Sequence, residues 1–260
     1  MSTSKTPILP IVIVGKDRTR MSCAVIDHLI EHIKNATPYF ICVSDRSKAG
    51  HDEAITNHLL ACGVKDFEVL RTMPEENRYG WGAAINIGLE CAFGKHDENE
   101  NWRMFQPSAL VVDNDWLLQR DLDIDKYLYA LAFSDIGAIT FKPIHNGTNV
   151  TLTDKILADG SHYLLRSKGV DSRFSFTAEI GTMLISRQMY EQYGKFKENC
   201  RTDETEWDFC NWYNSMSNEQ RHIKRVCFVT DKDLYHEELN GKNHVFTHVG
   251  LHSQHDGSHK

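Results

Sequence analysis

Asp113-Asn114-Asp115 follows the apolar run Ala109-Leu110-Val111-Val112. Two carboxylates two residues apart at a strand end can reach one divalent cation, directly or through water. A hard, oxygen-ligated cation can bridge the phosphates of a nucleotide and neutralise the charge that grows on a leaving diphosphate. The same three residues also suit a plain polar turn, and D-x-D arises often by chance. The stretch from Glu76 to Gly88 is richer. Gly80, Gly82 and Gly88 permit close backbone approach, and Asn86 falls inside a helical pattern where asparagine has poor propensity. Further on, Asp203, Glu204, Glu206 and Asp208 precede or open an apolar helix. Acids in a first helical turn are favoured by the macrodipole whether or not they do chemistry. Six of the fourteen histidines lie at 236, 244, 248, 252, 255 and 259. A solvated tail accounts for His255 and His259. Zinc-finger chemistry is disfavoured, because no cysteine sits nearby at finger spacing.

These residues need elements to position them, and the first half alternates strand and helix signals. Strands are expected at 8–15, 39–43, 67–70 and 110–112. Helices are expected at 20–34, 51–62 and 81–93. Strands separated by helices of this length imply right-handed crossovers and an α/β fold with a mostly parallel central sheet flanked by helices. Ligands of such sheets bind beyond the carboxyl ends of the strands. Three polar clusters fall there: Gly15-Lys16-Asp17-Arg18, Ser44-Asp45-Arg46-Ser47 and Asp113-Asn114-Asp115. In the second half, strands are expected at 136–141, 162–166 and 180–186, and helices near 187–193 and 204–216. Asn146-Gly147 and Asp159-Gly160 signal hairpin turns.

The chain has 260 residues, with 29 Lys+Arg, 36 Asp+Glu and a formal net charge of −7. A disordered chain is excluded by 41% hydrophobic residues. The acidic balance argues against coating nucleic acid through broad electrostatics. Seven cysteines without a C-x-x-C pair, several inside apolar runs, read as free thiols in a reducing compartment. With no signal-peptide pattern at the N-terminus and no run long enough to span a membrane, the expectation is a cytoplasmic protein.

The order of these pieces resembles a family 2 glycosyltransferase with a GT-A fold. The first strand runs into Asp17-Arg18 and the next ends at Asp45. Asn77, Gly80, Gly82, Asn86 and Gly88 are similar to the pattern N-x-G-x-G-x-x-x-N-x-G, with one extra residue between Asn77 and Gly80. Asp113-Asn114-Asp115 matches the D-x-D motif. Gly181 to Arg187, then Gly194-Lys195-Phe196, are similar to the later small-residue strand and Gly-Phe pair. The resemblance covers about residues 9–250 and implies a nucleotide-sugar donor with Mn2+ or Mg2+. It would place Asp45 on the base, with uracil expected, and Asp17 and Arg18 beside the base or phosphates. Asn86 would lie near the ribose or diphosphate. Asp113, with Asn114 beside it, would face the ribose or sugar, and Asp115 would ligate the metal. His248, in Thr247-His248-Val249-Gly250, resembles the H-x-G stretch that supplies a further metal or diphosphate contact, with His252 as the second choice. For the general base two registers fit. Matching Asp208-Phe209-Cys210 to the family's Asp-Leu-Cys selects Glu206 and puts Thr205 where an acid is usual. Matching Asp203-Glu204 to the acidic pair selects Glu204.

The resulting expectation is one GT-A domain over residues 1–260. Residues about 8–115 bind the nucleotide sugar, about 116–250 bind the acceptor and catalyse, and 252–260 form a frayed tail. Transfer to an acceptor hydroxyl is expected to invert the anomeric centre. The acceptor is left open among a glycan, a protein and a modified nucleobase, and no stable membrane insertion is expected. A nucleotidyltransferase, hinted at by Gly15-Lys16, and a non-catalytic nucleotide-sugar-binding module are the rival readings.

Overall fold

A computed structural model describes residues 6–94, 106–141, 150–168, 180–239 and 244–249. The turn expected at Asn146-Gly147, the tail 252–260 and His252 lie outside the described residues. The chain begins with β1 (Ile8–Gly15), α1 (Thr19–His32), β2 (Ile33–Lys34), β3 (Thr37–Ser44), α2 (His51–Ala61) and β4 (Phe67–Arg71). A 3-10 turn at Pro74–Glu76 leads into α3 (Trp81–Phe93). Next come β5 (Ser108–Asp113), β6 (Trp116–Leu118), β7 (Leu122–Asp123), α4 (Ile124–Phe133) and β8 (Ile136–Thr140). The rest comprises β9 (Val150–Ile156), β10 (His162–Lys168), β11 (Thr182–Ser186), α5 (Arg187–Tyr193), α6 (Thr202–Asn214), α7 (Asn218–Lys224), β12 (Cys227–Asp231), α8 (Lys232–Leu239) and β13 (Phe246–His248).

Nine strands form one sheet in the order β4-β3-β1-β5-β11-β8-β12-β10-β9. All but β11 and β10 run in the same direction, so the sheet is mostly parallel, as expected. The alternation of side chains along β1 and β5 divides the interior. Ile11, Ile13, Leu110 and Val112 face a core with α1, α2 and α4. Val12, Val14, Ala109 and Val111 face a second core with α3, α5 and α6. Helix α3 is buried along almost its whole circumference, from Gly82 to Leu89, which explains its uniformly apolar sequence.

The helix expected over 20–34 stops two residues early. Ile33 is buried and leaves the helix to pair with Leu122 in a two-stranded ribbon, β2 with β7. Tertiary pairing here overrides helical propensity. The turn at Asp159-Gly160 forms as expected: Gly160 has φ +86°, its N–H donates to Leu157 O, and β9 folds back on β10. Among the described residues no helix is long and apolar enough to cross a membrane.

Helix α3 approaches a loop closely at Gly82. A Cβ there would lie 2.1 Å from the backbone oxygen of Lys197. Backbone cannot rotate away as a side chain can. Gly82→Ala is therefore expected to lower stability by about 1–3 kcal/mol, despite the better helix propensity of alanine. Urea denaturation should show a lower midpoint at unchanged slope; an unchanged midpoint would mean that the 197 segment is not held against α3.

Candidate functional site

The chain runs from β1 outward through β3 to β4, then returns to place β5 on the other side of β1. A crevice opens at the carboxyl ends of strands where the order reverses in this way. A cleft of about 1150 Å³ lies there. Its floor comes from the ends of β1, β3 and β5, and its far wall from residues 199–204 and Glu206 at the start of α6. It gathers seven of the residues to which the resemblance gives a site role: Arg18, Asp45, Asp113, Asn114, Asp115, Glu204 and Glu206.

The end of β5 is braced from three sides. Asp113 N–H donates to Gly181 O, and Asn114 N–H donates to Val14 O. Trp81 Nε1 donates to Asp113 Oδ1 at 2.5 Å. Asn114 packs against Gly15, where a Cβ would lie 2.1 Å from Asn114 Nδ2, and its amide donates to Ser22 Oγ at 3.1 Å. Asn114 thus both borders the cleft and locks β5 to β1 and α1. Asp115 Oδ2 pairs with the Arg18 guanidinium and lies 3.2 Å from His248 Nε2. Pairing of β13 with β6 sets His248 opposite Trp116, with ring centroids 4.8 Å apart, and Val249 N–H donates to Asp115 O. A histidine 133 positions downstream is delivered to Asp115 in this way.

The Asp115 and His248 donors suit a divalent cation. Two ligands held at right angles about 2.1 Å from an octahedral ion are about 3 Å apart, close to the observed separation. The cleft is also formally acid-rich. Its described lining holds six acids, Asp45, Asp113, Asp115, Asp203, Glu204 and Glu206, against the cations Lys16, Arg18, Arg46 and Arg201. One divalent ion balances that excess.

Asp45 joins three segments. Its Oδ1 accepts from Gly80 N–H at 2.9 Å and from Thr72 Oγ1 at 3.1 Å, while Arg46 pairs with both oxygens. The Arg46 guanidinium also lies 4.7 Å from the centroid of the Tyr79 ring. Asp17 stands beside the cleft rather than on it. It links two loops, accepting from Lys48 N–H at 2.7 Å and donating its own N–H to Ser47 Oγ.

Asn86 departs from expectation. It is fully buried. Its Nδ2 donates to Phe196 O and Glu198 Oε1, each at 2.8 Å, and its Oδ1 accepts from Phe196 N–H and the Tyr190 hydroxyl. The side chain is absent from the cleft lining because it organises the 196–198 segment behind it. Arg78 reinforces that segment by pairing with Glu198 and Glu90. The hydrogen bond to Glu198 raises the Arg78 pKa, against burial and together with Glu90. Burial opposes charge on Glu90, yet Lys195 and Arg78 outweigh it and hold that carboxyl below its usual range.

On α6, Thr205 is fully buried, and its hydroxyl donates to Lys197 O at 3.0 Å. An acid at 205 would set a carboxylate against that carbonyl. Glu204 and Glu206 flank Thr205 and both border the cleft, with Glu206 half-buried and Glu204 exposed. Lys16, Arg46, Tyr79, Trp81 and Arg201 border it too, although none was selected from sequence as a site residue. Tyr79 had a weak signal, since it belongs to the region of the extra residue between Asn77 and Gly80. A tight turn absorbs that residue: Asn77 has φ +57°, and Met73 and Arg78 bridge.

This architecture is the GT-A glycosyltransferase fold. The chain is similar to the mannosyltransferase PcManGT from Pyrobaculum calidifontis, whose structure is a complex with GDP-Man and Mn2+. The TM-score is 0.52 at 13% identity, over 86% of this chain and 57% of that one. It is also similar to S. aureus TarS 1-349, with a TM-score of 0.54 at 12% identity, over 86% of this chain and 58% of that one. The chain therefore spans a little over half the length of these structures. The sequence matches no protein-family model, and comparison with curated proteins finds no match.

Asn86 is accordingly expected to act on stability rather than on ligand affinity. Asn86→Ala leaves buried partners on Phe196 and Tyr190 unsatisfied, at about 1–3 kcal/mol for each such group. The denaturation midpoint should fall, while the folded variant binds nucleoside diphosphate within about twofold of the parent, well under 1 kcal/mol. Undiminished stability with lost nucleotide binding would return Asn86 to the ligand shell.

Proposed function

We propose that this chain is a glycosyltransferase. It moves a sugar from a nucleoside-diphosphate sugar, with uracil as the base, to an acceptor hydroxyl, inverting the anomeric centre with the help of Mn2+ or Mg2+. The meeting of Asp113 and Asp115 with Glu204 and Glu206 across one cleft carries this reading. Free thiols at all seven cysteines agree with a reducing, cytoplasmic setting.

In this reading Asp45 accepts a hydrogen bond from the base, which lies against the Arg46–Tyr79 pair. Lys16 and Arg18 face the phosphates, and Asp113, steadied by Trp81, faces the ribose or sugar. Asp115 and His248 would hold the divalent ion, which would supply positive charge to neutralise the diphosphate. Glu206 accepts the proton of the acceptor hydroxyl. The hydroxyl oxygen bonds to the anomeric carbon as the bond to the diphosphate breaks, and that electron pair leaves with the diphosphate. The acceptor is a glycan, a protein or a modified nucleobase.

Two experiments test these roles. In titration calorimetry with UDP, affinity should fall at least about tenfold, or about 1.4 kcal/mol, when Mn2+ is replaced by EDTA. Asp115→Ala should give the weaker value in both conditions. A variant that keeps the full metal response would remove Asp115 from the metal site. Glu206→Gln keeps size and loses the proton acceptor. It should lower kcat by about 10²–10⁴-fold with donor affinity little changed, whereas Glu204→Gln should retain activity. The reverse pattern would move the base to Glu204, and near-full activity in both variants would overturn the inverting mechanism.

A further inference from the structure

Away from the cleft, Asp27 on α1 meets His58 and Cys62 at the end of α2. The Asp27 Oδ1 to His58 Nε2 separation is 2.8 Å, Cys62 Sγ to Asp27 Oδ1 is 3.5 Å, and Cys62 Sγ to His58 Nε2 is 3.7 Å. A tetrahedral zinc ion, with Zn–S about 2.3 Å and Zn–N or Zn–O about 2.0–2.2 Å, sets sulfur about 3.5–3.6 Å from each light ligand. It sets nitrogen about 3.3–3.4 Å from oxygen. Both sulfur separations already match. Only the Asp27–His58 hydrogen bond must open, by about half an ångström.

We propose that Asp27, His58 and Cys62 form a zinc site that clips α1 to α2. The ligand types fit a borderline-soft ion, with one thiolate, one imidazole and one carboxylate. His58 and Cys62 are four residues apart, so the helix presents both on one face, and α1 supplies the third ligand. Asp27 and Cys62 are exposed, which leaves the fourth position to water. On coordination the Cys62 thiol releases its proton to solvent, and His58 presents an unprotonated Nε2 in place of its bond to Asp27. The two helices are already tied near their starts, where Thr19 Oγ1 lies 2.7 Å from His51 Nδ1. A clip at the far end fixes the pair as a unit, and α1 begins directly after Arg18 of the cleft.

A second Asp-His-Cys group, Asp135, His222 and Cys227, is the control rather than the site. Both oxygens of Asp135 are already engaged, Oδ1 by Lys155 Nζ at 2.6 Å and Oδ2 by His222, so no carboxylate oxygen is left open to an ion. Cys227 is also fully buried.

Cobalt(II) titration of the full chain, followed by absorption spectroscopy, tests the assignment. The parent, Cys227→Ser and Asp115→Ala should all show tetrahedral cobalt bands with thiolate-to-cobalt charge transfer. Cys62→Ser should lose the charge-transfer band, and His58→Gln should weaken cobalt and zinc binding at least about tenfold. In the Asp115→Ala background, which lacks the cleft ligand, zinc should raise the melting temperature, and adding Cys62→Ser should abolish that rise. A parent without the thiolate band overturns the proposal, as does a band that survives in Cys62→Ser or disappears in Cys227→Ser.

Discussion

Like charges crowded into one cleft repel, and the rest of this structure is arranged around holding them there. Asp45 follows β3, Asp113 and Asp115 sit together at the end of β5, and each is held by donors of its own: Gly80, Thr72 and Arg46 for the first, Trp81 for the second, Arg18 and His248 for the third. Hydrogen bonds to the ionised form of a carboxylate lower the cost of keeping it charged. None of these donors is adjacent in sequence to its acid except Arg46, so the fold must be complete before the acids can be brought together. A cleft that keeps formal acids in excess even after this internal pairing is a place where an external cation lowers the energy.

Behind the cleft, a second network ties its two walls. The 196–198 segment leads into the far wall, while α3 belongs to the sheet side. Asn86 and Arg78 grip residues 196 and 198 from α3 and its leading turn, and Tyr79 exchanges backbone and side-chain bonds with Asn199. Gly82 allows the two backbones to approach closely. Gly80 and Gly82 therefore serve the approach of the two walls, whereas Gly88 serves the packing of α3 on Val12 of β1.

Much of this was legible before the structure. The βαβ rhythm of the first half, the strand ends and their polar clusters were readable because period and burial coincide there. Asp45, Asp113 and Asp115 could be found because strand ends in such folds are ligand edges. The role of Asn86 was not legible. A polar residue inside an apolar helix looks the same from sequence whether it faces a ligand or a neighbouring backbone, and only the four partners around it decide. Arg46 and Tyr79 were missed for a related reason. Arg46 adopts φ +51°, an unusual value for a residue with a side chain, and its contact with Tyr79 bridges 33 residues of chain. The late histidine was visible through the likeness of Thr247-His248-Val249-Gly250 to the H-x-G stretch, but its arrival at Asp115 depends on a three-residue ribbon, β6 with β13, too short to carry a pattern.

The choice between the two candidate bases comes down to how Thr205 turns the start of α6. Successive helical residues are about 100° apart, so a fully buried Thr205 aims its neighbours to either side of the buried face. Both then reach the cleft, because the helix enters it by its N-terminus. They differ in surroundings. Glu204 is exposed in the first turn, where an acid is favoured by the macrodipole alone. Glu206 lies one step deeper and is half-buried. A carboxylate that must meet one hydroxyl in one orientation gains from a wall that restricts its rotamers, since order already present in the folded state is not lost again in reaching the transition state. That difference in surroundings is what favours Glu206 over Glu204 as the base in the reaction proposed above.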